Sequence, residues 1–148
     1  MGIIRGGDSE YEEHEPSVEE KSAEWQKVLQ PLLDEDPSVL KLSGRYISSD
    51  DVKIICNYPG VKSVRVLDLA DNQVNDEALP VLFESENLVQ LEELYLGINF
   101  LIGQGLTDIA CSSQVKLGNL KKLVISDNRL TDASVADFIR SKNFPNLE

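Results

Sequence analysis

Four leucines, Leu40, Leu67, Leu94 and Leu123, follow one another at intervals of 27, 27 and 29 residues. Each stands in the same frame of neighbours. The pattern L-x-x-L-x-L-x-x-N-x-L is filled by Val64, Leu67, Leu69, Asn72 and Val74, then by Leu91, Leu94, Leu96, Asn99 and Leu101, and again by Leu120, Leu123, Ile125, Asn128 and Leu130. A degenerate copy precedes these, with Leu40, Leu42 and Ile47 in place and Arg45 in the asparagine position. A unit of this length has room for one strand and one helix and is too small to hide its own apolar side, so units must stack to share a core.

Within a unit the alternation Leu-x-Leu is that of a short strand buried on one side, with Leu67 and Leu69 facing inward and Asp68 and Ala70 outward. The asparagine follows where the chain must turn, and its amide can satisfy backbone groups that would otherwise be buried unpaired. Asn72, Asn99 and Asn128 are therefore expected to form a ladder. When the asparagines are superimposed, the second half of each unit aligns into apolar columns at helical spacing: Val52, Leu79, Leu106, Val135; Ile55, Leu82, Ile109, Phe138; Cys56, Phe83, Ala110, Ile139. A further column of Val61, Leu88, Leu117 and Phe144 closes the corner before each next strand. Ser48, Asp76 and Thr131 stand at expected N-cap positions, with Gly105 marking the equivalent entrance in the third copy. Pro80 is compatible with a helix only in its first turn, which delays the start of that helix.

This constellation resembles the leucine-rich repeat family over about residues 37–148, and the 27 to 29 residue unit is similar to the ribonuclease-inhibitor-like subclass. The resemblance implies an α/β, right-handed leucine-rich repeat solenoid, a horseshoe segment of about four units. Its short parallel sheet would line the concave face and its helices the convex face. Residues 1–17, with Asp8, Glu10, Glu12, Glu13 and Glu15 and almost no apolar content, read as a disordered acidic tail. Residues 18–36 carry Val18, Trp25, Val28, Leu29, Leu32 and Leu33 at helical spacing and are expected to cap the first unit, with Trp25, Leu29 and Leu33 over Leu40, Leu42 and Val52. Pro31 is expected to kink or interrupt that helix. At the other end Asn146-Leu147 repeats Asn119-Leu120, so the last layer, Leu123, Ile125, Leu130, Val135, Phe138, Ile139 and Phe144, is expected to lack a cover. Either further units of a longer array, a partner or a second copy of the chain would supply one.

Composition narrows the function. Fourteen Lys and Arg against 26 Asp and Glu give a net charge of −12, which opposes phosphate neutralisation and so nucleic-acid binding. No apolar run is long enough to span a bilayer. The one histidine, His14, lies in the tail, so no His-based triad or two-histidine metal site can be assembled within one chain, and neither a catalytic centre, a cofactor nor a metal is expected. Cys56 and Cys111 are expected to be packing residues, free in a reducing compartment, which points to the cytoplasm.

Such solenoids bind proteins along their regular inner wall. The outward positions are Lys41, Asp68, Tyr95 and Val124 in one row, with Val66, Glu93 and Lys122 two residues earlier, and Asp71, Ile98 and Asp127 at the following turn. Tyr95 with Ile98, followed by Phe100, supplies an aromatic and aliphatic centre, and Asp68, Asp71, Glu93 and Asp127 an acidic surround suited to a basic protein partner. The expected function is a non-catalytic protein-interaction module. The alternatives are regulation of an enzyme, as inhibitor or in the manner of relatives that activate small GTPases, and self-assembly through the uncapped edge.

Overall fold

The computed structural model describes residues 17–148. The expected tail, with His14, lies outside them apart from Ser17, which serves as the N-cap of the first helix.

Helix α1 (Val18–Glu35) opens with a reciprocal capping box between Ser17 and Glu20 and carries Glu19 and Glu20 in its first turn, where the helix dipole favours acids. It runs past Pro31 without interruption, contrary to the sequence expectation. The proline removes only the hydrogen bond to the Lys27 carbonyl, and Lys27 lies on the exposed side where water can take its place. Leu29 and Leu33 point into the core, and the Trp25 indole N–H donates to Asp51 Oδ1 at 3.2 Å, tying α1 to the first repeat. Leu40, Leu42 and Val52 are fully buried behind it. Beyond α1 the Ser38 hydroxyl and backbone N–H bond to the Asp36 carboxylate and hold its pKa below the ordinary value.

Four strands then alternate with four helices: β1 (Val39–Lys41), α2 (Ser49–Asn57), β2 (Val66–Asp68), α3 (Ala78–Phe83), β3 (Glu93–Tyr95), α4 (Gln104–Cys111), β4 (Lys122–Val124) and α5 (Asp132–Ile139). The strands form one parallel sheet in sequential order, with Leu40, Leu67, Leu94 and Leu123 paired rung by rung. Leu42, Leu69 and Leu96, just beyond the strands, are fully buried against the helices, as the alternation requires.

The asparagine ladder is present. The Asn72 amide donates to the carbonyls of Leu42, Leu69 and Ala70, and its Oδ1 accepts from the N–H groups of Arg45 and Ile47, both at 2.9 Å. Asn99 repeats this on Leu69, Leu96, Gly97 and the Val74 N–H, and Asn128 on Leu96, Ile125, Ser126 and the Leu101 N–H. Each side chain thus joins its own turn to the one before. A second set closes the helix ends: Asn87 donates to the Cys56 carbonyl, and Asn143 to those of Ile109 and Ser112.

Helix starts follow the sequence in two cases. Ser48 caps α2 in a box with Asp51, and Thr131 caps α5. The other two differ. Pro80 sits in the first turn of α3, which begins at Ala78 without a side-chain cap, while Asp76 reaches forward to accept the Ile102 and Gly105 N–H groups of the next unit. Its carboxylate has two donors there at 2.9 and 2.7 Å, and its own helix begins too late to compete. The α4 N-cap is Gly103, at φ 111°, whereas Gly105 lies one turn position on, where a Cβ would meet Leu79 and Asp76.

Leu123, Ile125, Leu130 and Val135 are only half-buried, whereas their counterparts Leu94, Leu96, Leu101 and Leu106 are fully enclosed. Ile139 is 70% exposed. Phe138 and Phe144 depart from the expected exposure: they stack at 4.5 Å between ring centroids and meet Phe83 edge-on at 5.9 and 5.6 Å, so the aromatic trio shields itself. Cys56 is a core residue whose thiol burial pushes its pKa up to about 12. Cys111, expected to pack, is exposed, because it lies one position beyond the core column of α4. Among the described residues no helix is long and apolar enough to cross a membrane.

Candidate protein-binding face

The face of the sheet turned away from the helices is a grid set by strand register. One row reads Lys41, Asp68, Tyr95, Val124, and the row before it Val39, Val66, Glu93, Lys122. Seven of the ten residues singled out by sequence, Lys41, Val66, Asp68, Glu93, Tyr95, Lys122 and Val124, stand on this grid.

Its centre is a small network. The Tyr95 hydroxyl donates to Glu93 Oε1 at 2.6 Å, two residues back on the same strand and face, and the Lys122 ammonium lies 5.3 Å from the Tyr95 ring centroid. Cation, ring and carboxylate therefore hold one another in fixed relation, leaving the half-buried ring as a rigid element. Asp68 Oδ1 accepts from the Ala70 N–H at 2.9 Å, which turns that carboxylate towards its own loop. Lys41 and Lys122 are exposed, and Val66 and Val124 half-buried. Behind the grid Glu92 bridges Lys121 at 3.3 Å and Arg65 at 3.9 Å, an exposed arrangement worth little to stability.

The other three residues, Asp71, Ile98 and Asp127, lie at the rim where the strands end. Each occupies the left-handed region, at φ 56°, 57° and 56°, as does Gly44 at 67° in the first unit. The register of the repeat imposes this conformation immediately before every asparagine position. Glycine and aspartate tolerate it, but β-branched Ile98 does not adopt it without strain. Ile98 is nevertheless 53% exposed, so core packing does not explain its presence.

The rim carries residues that the sequence reading did not include in its candidate set. Tyr46 is 80% exposed, Phe100 56% and Ile102 59%. Tyr46 and Phe100 occupy one column, just after the asparagine position, with Gln73 and Arg129 as the other members. Aligning that column alone would have exposed the pattern.

Among the described residues no cluster of histidine, cysteine and carboxylate side chains is placed to hold a metal ion.

Comparison with known proteins agrees with this architecture. A family model described as leucine-rich repeat matches residues 62–80 and 118–138. The fold is similar to that of leiomodin-1 actin-binding site 2, with a TM-score of 0.59 and 14% identity over 90% of this chain and 78% of that one. An internalin from Listeria monocytogenes aligns with a TM-score of 0.41 and 20% identity, over 75% of this chain and 34% of its own. No curated protein sequence matches the chain significantly. Repeat phase, asparagine ladder, the family-model matches and the fold likeness to the leiomodin-1 structure agree on a leucine-rich repeat architecture for this chain.

Proposed function

We propose that the chain is a non-catalytic protein-interaction module whose partner lies along the outward face of the sheet, on the concave side of a short right-handed solenoid. The observation that carries this reading is the Tyr95 network: a ring fixed by Glu93 and Lys122 on four registered strands. Rigid aromatic groups at the centre of a face lose little entropy on binding and are frequent anchors. Asp68, Asp71, Glu93 and Asp127 around it, on a chain of net charge −12, favour a basic partner and a fast encounter. The leiomodin-1 structure of similar fold is named for actin binding, which is in keeping with a protein ligand for this architecture. The unit length, with a helix in every repeat, fits the ribonuclease-inhibitor-like subclass, and α1 acts as the amino-terminal cap. The free thiols of Cys56 and Cys111 are in keeping with a reducing, cytoplasmic address.

The test is a double variant, Tyr95→Ala with Ile98→Ser, immobilised beside the wild-type chain and exposed to lysate of the source cell. Proteins retained by the wild type and released by the variant, with the cooperative melt preserved, support the reading. Equal retention refutes it.

A second reading has its own observation. The half-buried Leu123, Ile125 and Leu130 with exposed Ile139 form an edge suited to a second copy of the chain. Sedimentation over a concentration series tests it: a constant monomer mass excludes edge stacking.

A further inference from the structure

At the rim of the sheet Gly44, Tyr46, Asp71, Asn72, Gln73 and Phe100 line a pocket of about 260 Å³. Its two aromatic walls come from the first and third units, with Gln73 of the second between them. Backbone bonds hold this spacing: Gln73 N–H donates to the Ile47 carbonyl at 2.9 Å and Phe100 N–H to the Val74 carbonyl at 2.8 Å, and parallel bridges pair Ser48 with Gln73 and Asn75 with Phe100. With neighbouring parallel segments about 4.8 Å apart, the segments that carry Tyr46 and Phe100 are two steps, roughly 10 Å, apart along the array, and both side chains line the same pocket. A planar group touching a ring on each side needs about 7 Å, at roughly 3.5 Å per contact, which is within the spacing of these two segments.

The chemistry of the pocket is equally specific. No described residue hydrogen bonds to or pairs with the Asp71 carboxylate, and it lies 3.7 Å from the point a Cβ on Gly44 would occupy. The glycine, with no side chain at this left-handed position, keeps the space beside the carboxylate open. Neighbouring Arg45 makes no ion pair with it. Two exposed rings and a carboxylate without a partner among the described residues, in one recess, complement a cation with flat faces.

We propose that this pocket is a subsite for an arginine side chain of the protein partner, its guanidinium stacked between Tyr46 and Phe100 and paired with the Asp71 carboxylate. The proposal rests on the reading of the chain as a protein-binding module and gives the basic partner a defined contact. Guanidinium is preferred to ammonium because it is planar, weakly hydrated and able to meet a carboxylate through two N–H groups. Stacking on aromatic faces adds to the charge pairing.

The test is an NMR titration of the isotopically labelled full chain with three capped tripeptides, glycyl-arginyl-glycine and its lysine and citrulline counterparts. The arginine peptide is expected to give saturable shifts at the amides of Gly44, Tyr46, Asp71, Gln73 and Phe100. The lysine peptide should bind several-fold more weakly, and the uncharged, isosteric citrulline peptide should give none. Asp71→Asn should weaken arginine binding about fivefold to tenfold without loss of fold, because asparagine accepts the left-handed backbone. Phe100→Gln, which copies Gln73 of the preceding unit, should weaken it about threefold.

Absence of saturable shifts with the arginine peptide, equal shifts with citrulline, or indifference to both variants would overturn the proposal. These results are separable from the fate of the sheet-face reading. A failed titration leaves the Tyr95 variant's effect on partner retention as it was, whereas a successful one beside unchanged retention moves recognition to the rim alone.

Discussion

Removing the ladder asparagines one at a time should cost stability in a fixed order, because the groups each leaves unpaired can be counted. In Asn99→Ala the carbonyls lose one bond but keep another: Leu69 retains Asn72, Leu96 retains Asn128, and Gly97 retains the Asp71 N–H. Only the buried Val74 N–H is orphaned, at about 1 to 3 kcal/mol, so a loss near 2 kcal/mol is expected. Asn72→Ala orphans the buried Ile47 N–H, the half-buried Arg45 N–H and the Leu42 carbonyl, for about 4 kcal/mol. Asn128→Ala exposes the Leu101 N–H and the Ile125 carbonyl beside a half-buried layer that water can reach, for about 1 kcal/mol. Urea unfolding followed by circular dichroism, with linear extrapolation, measures all three. Against a total stability of about 5 to 15 kcal/mol, the Asn72 loss is large enough to shift the midpoint plainly. Equal losses, or Asn128→Ala proving the worst, would refute the hydrogen-bond accounting.

Other outcomes follow from burial and strain. Leu96→Ala, at a fully enclosed site, should destabilise by about 2 to 5 kcal/mol in the same assay; an unchanged midpoint would contradict the repeat phase. Ile98→Asn relieves a left-handed backbone worth about 1 to 2 kcal/mol and forgoes about 1 kcal/mol of half-made burial, so the melt should hold or rise slightly while partner binding falls. A loss above about 1 kcal/mol would place Ile98 in the core. In thiol labelling, Cys111 should react in the native state and Cys56 only on unfolding. Because Cys56 is held neutral with a pKa of about 12, the unfolded chain releases that proton first; stability should fall as pH rises above the ordinary thiol range, and Cys56→Ala should flatten the slope.

The repeat made the fold legible. Period-2 leucines and phased asparagines specify strand, turn and stacking register together, so the sheet order and the ladder could be read from residue names. Local competition was harder to read. Asp76 looks like the cap of its own helix, but two N–H groups of the next unit outbid that role, a preference that exists only once units stack. Asn87 and Asn143 stand at matching offsets after their ladder asparagines, yet their partners are helix-end carbonyls of the unit before, invisible in a linear reading. The candidate face shows the same division. Tyr95 is placed by strand alternation, whereas the company of Tyr46 and Phe100 depends on a column that carries no core residue and so gives no hydrophobic signal.

The direction of the asparagine bonds gives the array a head and a tail. Asn72 serves Ile47, Asn99 serves Val74 and Asn128 serves Leu101, always backwards along the chain. The Leu130 N–H, which holds the same place in the fourth unit, has no acceptor among the described residues. A unit is thus chemically finished only by its successor. During synthesis each turn emerges with an unanswered donor until 25 or 27 more residues have followed, and trimming the array from its two ends has unequal consequences: loss of the first unit leaves the later donors answered, whereas loss of the last strips one from its neighbour.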